Sequence, residues 1–182
     1  NNVITSNISV RDIQNRKQHY YSQLLHRGTI PLRVGVLGLI DSLKKANVDQ
    51  WIVTTSGRAA VKALISSYFD ENNLPFKGFV TYEDVRESKP SPECYQRCLE
   101  HSGLNKRNIV VIEDSLIGMQ SAKEAGLKCL VTLSPWNPTF TKAFSQADAV
   151  FDQIGDKSNS CKRFIGPSCP NGTITMEYLE KL

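Results

Sequence analysis

Apolar and polar positions alternate along this chain with two distinct periods. From Arg11 to His26, Ile13, Tyr20, Tyr21, Leu24 and Leu25 fall on a rough helical stripe opposite a strongly polar face, and Gly28 supplies a stop. After Pro31 the run Val34-Gly35-Val36-Leu37-Gly38-Leu39-Ile40 leads into Asp41-Ser42-Leu43-Lys44-Lys45, which predicts a helix packed on a large surface. Gln50 to Thr55 is short, apolar and rich in β-branched residues, as in a strand buried on both faces. The pattern then predicts a helix over Arg58 to Ser67, a short strand at Phe79-Val80, a helix from Ser91 to His101 and a strand from Asn108 to Glu113. A helix over Ser115 to Ala125, ended by Gly126, and strands at Leu127 to Leu133 and Ala149 to Phe151 follow.

Strands alternating with helices of about ten residues argue for an α/β fold, a doubly wound parallel sheet covered on both faces. In such layers ligands bind beyond the carboxyl ends of the strands. The segment from Gly155 to Gly172, rich in Ser, Gly, Pro and Lys, reads as irregular loop, and Ile174 to Leu182 reads as a short terminal helix.

Composition narrows the class. The 182 residues suit one domain with a small appendage, and 40% hydrophobic with 22% charged residues excludes disorder. The net charge of +4 comes from scattered basic residues, a pattern of solvation rather than a nucleic-acid footprint. The run from Val34 to Ile40 falls far short of the ~20 residues that span a bilayer, so no membrane association is expected. Five cysteines without C-x-x-C or Cys/His zinc spacing favour reduced thiols, and Cys94 and Cys98 share a helical face suited to packing. His19, His26 and His101 read as helix-surface residues, Trp51 as core and Trp136 as loop packing; Asn171-Gly172 reads as a turn.

Three segments at predicted strand ends carry chemistry. In Thr54-Thr55-Ser56-Gly57-Arg58 a strand gives way to hydroxyls and a glycine before a helix, which suits either an anion site on free amides or an N-cap by Ser56. In Glu87-Ser88-Lys89-Pro90-Ser91-Pro92-Glu93 a proline holds Lys89 out of the helix that follows. In Val110 to Gly118 two carboxylates, Glu113 and Asp114, directly follow a buried strand. A hard cation such as Mg²⁺ would explain the pair, whereas an N-cap by Asp114 accounts for only one of them.

Taken together and in this order, the segments resemble the haloacid dehalogenase (HAD) superfamily, whose second, third and fourth motifs are a hydroxyl residue, a lysine and acidic residues. TTSGR, ESKPSPECY and IEDSLIGMQSAKEAG are similar to the β-phosphoglucomutase-like branch. The IPLRVGV, SPW and ADAVFDQIGD segments resemble CbbY-type sugar-phosphate phosphatases of photosynthetic lineages. The resemblance implies a Rossmann-like three-layer core over residues 31–182, with residues 1–30 the end of a helical cap. It implies that Asp114 coordinates Mg²⁺ with Glu113 supporting the metal shell. Lys89 would neutralise charge on the nucleophile and phosphoryl group, and Thr54 with the amides of Thr55 and Ser56 would hold phosphoryl oxygens. Arg58 would approach the leaving group, and Lys17 and Arg33 would meet a second phosphate, against the alternatives of a helix-surface charge or a hinge salt bridge.

The family's reaction starts from a D-x-D motif on a first strand, and no aspartate here is followed two residues later by another. The chain opens on Asn1 and both methionines, Met119 and Met176, are internal, so a partial product lacking the first strand is expected. The intact protein is expected to be a monomeric Mg²⁺-dependent phosphatase of a small phosphorylated sugar, with xylulose 1,5-bisphosphate favoured, in bacterial cytoplasm or plastid stroma. A phosphomutase and a non-catalytic phosphate-binding module remain alternatives. These 182 residues alone are expected to be inactive and to self-associate through the uncovered sheet.

Overall fold

The computed structural model describes residues 9–26, 30–135 and 141–182, so Asn7, Gly28 and Trp136 lie outside the described residues. Helix α1 (Val10–His26) begins just ahead of its apolar stripe, because Ser9 and Asp12 cap it reciprocally: the Asp12 N–H donates to Ser9 Oγ at 3.1 Å and the Ser9 N–H to Asp12 Oδ2 at 3.0 Å. It packs along α3 (Arg58–Tyr68), with Tyr21 half-buried, while Ile13, Tyr20 and Leu24 of the stripe remain exposed.

The apolar run after Pro31 is not a lead-in but the first half of helix α2 (Val36–Lys45), which buries Leu39 and Leu43. Gly35 caps it at φ 82°, where a Cβ would stand 2.1 Å from the Gly155 carbonyl oxygen, so only glycine fits there.

Strands β1 (Gln50–Val53) and β2 (Phe76–Val80) pair in parallel, the latter longer than its sequence pattern predicts. Strands β3 (Val110–Glu113), β4 (Lys128–Thr132) and β5 (Ala149–Phe151) form a second parallel ladder. Two features depart from the single parallel sheet expected. Among the described residues the strands form two separate ladders, β1-β2 and β3-β4-β5-β6, and β6 (Arg163–Ile165) runs antiparallel to β5 within the tail that reads as loop.

Residues of the β3 ladder alternate between two apolar clusters, as a strand covered on both faces requires. Val111, Cys129, Val131 and Val150 face α4 (Glu93–Ser102) and α5 (Leu116–Glu124) together with Tyr95, Met119, Ala122 and Phe144. Leu130, Ala149 and Phe151 face α2 and α6 (Met176–Leu179) together with Leu39, Ile174 and Tyr178. The three-layer α/β arrangement therefore stands, and Cys94 and Cys98 pack into the first cluster as their shared face suggests. Between β1 and β3 lies a cavity of about 620 Å³, lined on its strand sides by Trp51, Val53, Val111 and Ile112.

Candidate active site

Lys89 joins the carboxyl ends of β1 and β3. Its Nζ donates to the carbonyl oxygen of Val53 at 3.1 Å, to the Tyr95 hydroxyl at 3.3 Å and to Oε1 of Glu113, with which it forms a buried ion pair. The two side chains are only 7% and 8% exposed. The Tyr95 hydroxyl also donates to Glu113 Oε1, and the Lys89 ammonium lies 4.9 Å from the centre of the Tyr95 ring. Burial, and then the charge of Glu113, pushes the Tyr95 phenol far above its ordinary range and keeps it a donor. Local sequence explains the placement: Pro90 keeps Lys89 out of the helix, α4 starts at Glu93, and Tyr95 in its first turn faces inward.

Thr54 extends β1 through its N–H, which donates to the Val80 carbonyl at 2.9 Å, and its Oγ1 accepts from the Ser56 N–H at 3.0 Å. Thr55 and Ser56 are exposed at the strand end. Ser56 does not cap α3: Gly57 occupies that position with no side-chain bond. Nor is the first amide of α3 free, because the Arg58 N–H donates to both carboxylate oxygens of Glu83, at 3.0 and 3.1 Å. The Arg58 guanidinium pairs with Asp84 at 2.5 Å and stacks 5.3 Å from the centre of the Phe79 ring. Arg58 is thus held by the turn over Tyr82–Asp84, a partner its sequence context does not suggest.

Glu113 and Asp114 part ways at the end of β3. Glu113 turns inward to Lys89 and Tyr95, whereas Asp114 is exposed and its side chain has no hydrogen-bond or ion-pair partner among the described residues. Ser115, not Asp114, caps α5, accepting from the Gly118 N–H at 3.1 Å. Asp114 therefore fits a hard cation, since Mg²⁺ commonly takes one or two carboxylates and completes its shell with water and phosphate. Glu113 does not fit as a direct ligand here: its charge is matched by Lys89, and its carboxylate lies over Gly118, where a Cβ would come within 2.0 Å of Oε2. No group of three or more His, Cys, Asp or Glu suited to a metal occurs among the described residues.

Arg33 reaches the ends of β4 and β5. Nη1 donates to the Thr132 carbonyl at 3.1 Å and to its hydroxyl at 3.0 Å, and Nη2 donates to the carbonyls of Leu133 at 2.8 Å and Asp152 at 2.7 Å. It forms no hinge salt bridge among the described residues; four neutral acceptors hold it instead. Lys17 is exposed on α1, and no described contact brings it to the cluster around Lys89. The sequence reading missed Tyr95; the only signal was its place in ESKPSPECY, one turn into the helix after the lysine.

The family model for haloacid dehalogenase-like hydrolases matches residues 2–132. A CBBY-like protein of Arabidopsis thaliana is 33% identical over 147 residues, covering 81% of this chain and 46% of that protein. Protein CbbY of Cereibacter sphaeroides is 32% identical over 150 residues, covering 82% of this chain and 64% of that protein. The crystal structure of CbbY from Rhodobacter sphaeroides with xylulose 1,5-bisphosphate superposes with a TM-score of 0.74 at 28% identity, covering 84% of this chain and 67% of that one. The same protein with phosphate gives a TM-score of 0.72 at 29% identity, covering 81% of this chain and 65% of that one. The chain thus spans about half to two thirds of the length of the curated relatives it matches.

Proposed function

The chain belongs to the haloacid dehalogenase-like hydrolase family, and on that premise we propose that it serves in a Mg²⁺-dependent phosphatase of a small phosphorylated sugar, with xylulose 1,5-bisphosphate the favoured substrate. The observation that carries this reading is Lys89, whose ammonium ties the end of β1 beside Thr54 to the end of β3 beside Asp114. The CbbY neighbour that binds xylulose 1,5-bisphosphate supports the substrate class.

Phosphoryl transfer asks for positioning and for charge around the phosphoryl oxygens rather than for elaborate covalent chemistry. Thr54 with the amides of Thr55 and Ser56 would receive phosphoryl oxygens, the Ser56 amide exchanging its bond to Thr54 Oγ1 for one to the ligand. Because Glu113 already balances Lys89, Asp114 leaves the strand ends with an uncompensated negative charge beside which a phosphate dianion would be repelled. Asp114 would hold Mg²⁺, and that ion supplies the neutralising charge when bound. Glu113 would act from behind, fixing Lys89. Arg33 would contribute by holding the ends of β4 and β5, and a contact of Lys17 with a second phosphate would come from α1. The attacking carboxylate would come from a D-x-D strand outside these 182 residues.

The experiment measures inorganic phosphate released from xylulose 1,5-bisphosphate with Mg²⁺ or with chelator, using both this chain and a longer form that includes a D-x-D strand ahead of it. Mg²⁺-dependent release by the longer form, lost in Asp114→Asn, is expected; release that persists in Asp114→Asn overturns the assignment. The absence of D-x-D from this chain favours a second reading, a phosphate-binding module without turnover. Calorimetric binding of the bisphosphate with no release by either form would establish it.

A further inference from the structure

Away from the strand ends, the tail brings two thiols into contact. Sγ of Cys161 and Sγ of Cys169 lie 4.0 Å apart across eight residues of chain, both half-buried against the cluster of Leu39, Ile154, Ile174 and Tyr178. The intervening segment is held in place mainly by backbone bonds, with the Cys169 thiol donating to the Thr173 carbonyl at 3.4 Å. β6 pairs with β5, the Cys161 N–H donates to the Gly172 carbonyl at 2.7 Å, and the Gly172 N–H donates to the Cys169 carbonyl at 3.1 Å. The Tyr178 hydroxyl donates to the Pro167 carbonyl at 3.1 Å. A disulfide needs its sulfurs about 2.0 Å apart, and the remaining approach is of the size that side-chain rotation supplies.

We infer that Cys161 and Cys169 are a modification site, a pair that closes to an intramolecular disulfide on meeting a small disulfide oxidant such as oxidised glutathione. The inference is independent of the proposed activity. Burial, and then the neighbouring Cys169 thiol, pushes the Cys161 thiol up to about 12, and the exchange opens from whichever of the two sulfurs first loses its proton, with the other 4.0 Å away to close it. That thiolate attacks one sulfur of oxidised glutathione and releases one glutathione thiolate. The second cysteine, losing its proton, then attacks the protein sulfur of the mixed disulfide and expels the second glutathione thiolate. Two protein thiols are oxidised and one oxidised glutathione is reduced to two thiols. The product covalently closes the loop that carries β6 and anchors the tail on the face covered by α2 and α6.

The chain is incubated with excess oxidised glutathione, quenched in acid, and its thiols are counted after denaturation. The count should fall from five to three, with an intact mass about 2 Da lower, and dithiothreitol should restore both. Trypsin without reductant should yield peptide 158–162 joined to peptide 164–181, a linkage read on the unaltered chain and independent of how any variant folds. Cys161→Ser and Cys169→Ser should each abolish the closure and Cys98→Ser should not. The closed form should melt about 5 °C higher than the open form. A count that stays at five, a glutathione adduct that persists on either Cys161 or Cys169 without closing, or linkage through another cysteine would overturn the inference.

Discussion

Glu113 can be buried beside an apolar cluster only because Lys89 and Tyr95 both reach the same carboxylate oxygen. Lys89→Met leaves that carboxylate uncompensated and should cost about 3–5 kcal/mol in urea unfolding. Tyr95→Phe removes one charged-acceptor hydrogen bond and should cost about 1–3 kcal/mol. Because both substitutions act on one acceptor, the double variant should be less destabilised than their sum. Asp84 titrates in a defined direction. The Thr81 N–H and hydroxyl, and then Arg58, hold its carboxyl below the usual carboxylate range. A depressed folded value means that the stabilisation is present above the unfolded value of 3.8 and is lost as pH falls through the lower folded one. Asp84→Asn should therefore flatten the acid limb of a stability-against-pH curve below about pH 4 and leave its slope near neutrality unchanged. Thr54, Lys89, Glu113 and Asp114 were legible because hydroxyl, lysine and paired carboxylates stand out at the ends of apolar runs. Tyr95 was not, since an inward aromatic on an amphipathic helix looks like ordinary core. The acceptors of Arg33 lie about a hundred residues away along the chain, beyond any local pattern.

At the scale of elements, the junction of β3 with α5 shows how a strand end and a helix start share one carboxylate. Gly118, in the first turn of α5, leaves room for Glu113, and a methyl there would collide with a side chain held from its other side by Lys89 and Tyr95. Gly38, at the matching position in the first turn of α2, has nothing within 4 Å of its ideal Cβ. The same substitution should therefore have opposite signs. Gly38→Ala should stabilise by about 0.5–1 kcal/mol through helix propensity, while Gly118→Ala should destabilise despite that gain, read as opposite shifts of the urea midpoint. The parallel strands could be read in advance because QWIV, VVIE and KCLVT are β-branched or aliphatic runs bounded by polar turns, although β1, expected to be buried on both faces, is only half-buried because its edge toward β3 has no strand partner among the described residues. β6 could not: Arg163-Phe164-Ile165 sits among Ser, Cys, Lys, Gly and Pro, and only its partner β5 makes it a strand. Ser9 and Asp12 have a capping spacing that the apolar stripe does not register, and α1 accordingly opens at Val10, one residue ahead of the start that the stripe predicts.

At the scale of the whole molecule, the divided sheet governs behaviour. β1 and β3 have partners on one side only among the described residues, and their carboxyl ends are drawn together by Lys89, so the cavity between them runs along two facing, similarly directed strand edges. One flank exposes Ile112, a mid-strand residue that is 39% accessible although its neighbours Val111 and Glu113 are buried. Unpaired edges beside exposed aliphatic surface are templates for another chain. The 182-residue chain should consequently associate in a concentration-dependent way, seen in sedimentation velocity as a weight-average coefficient that rises with loading. Ile112→Lys puts a charge on that flank without removing any described hydrogen bond of the Lys89 cluster, and it should shift the distribution toward monomer while the circular dichroism spectrum stays unchanged. A sharp monomer boundary for the parent chain at every concentration would mean instead that the facing edges of β1 and β3 are satisfied within one molecule. The expectation of an uncovered sheet would then fail together with the account of why Ile112 is exposed.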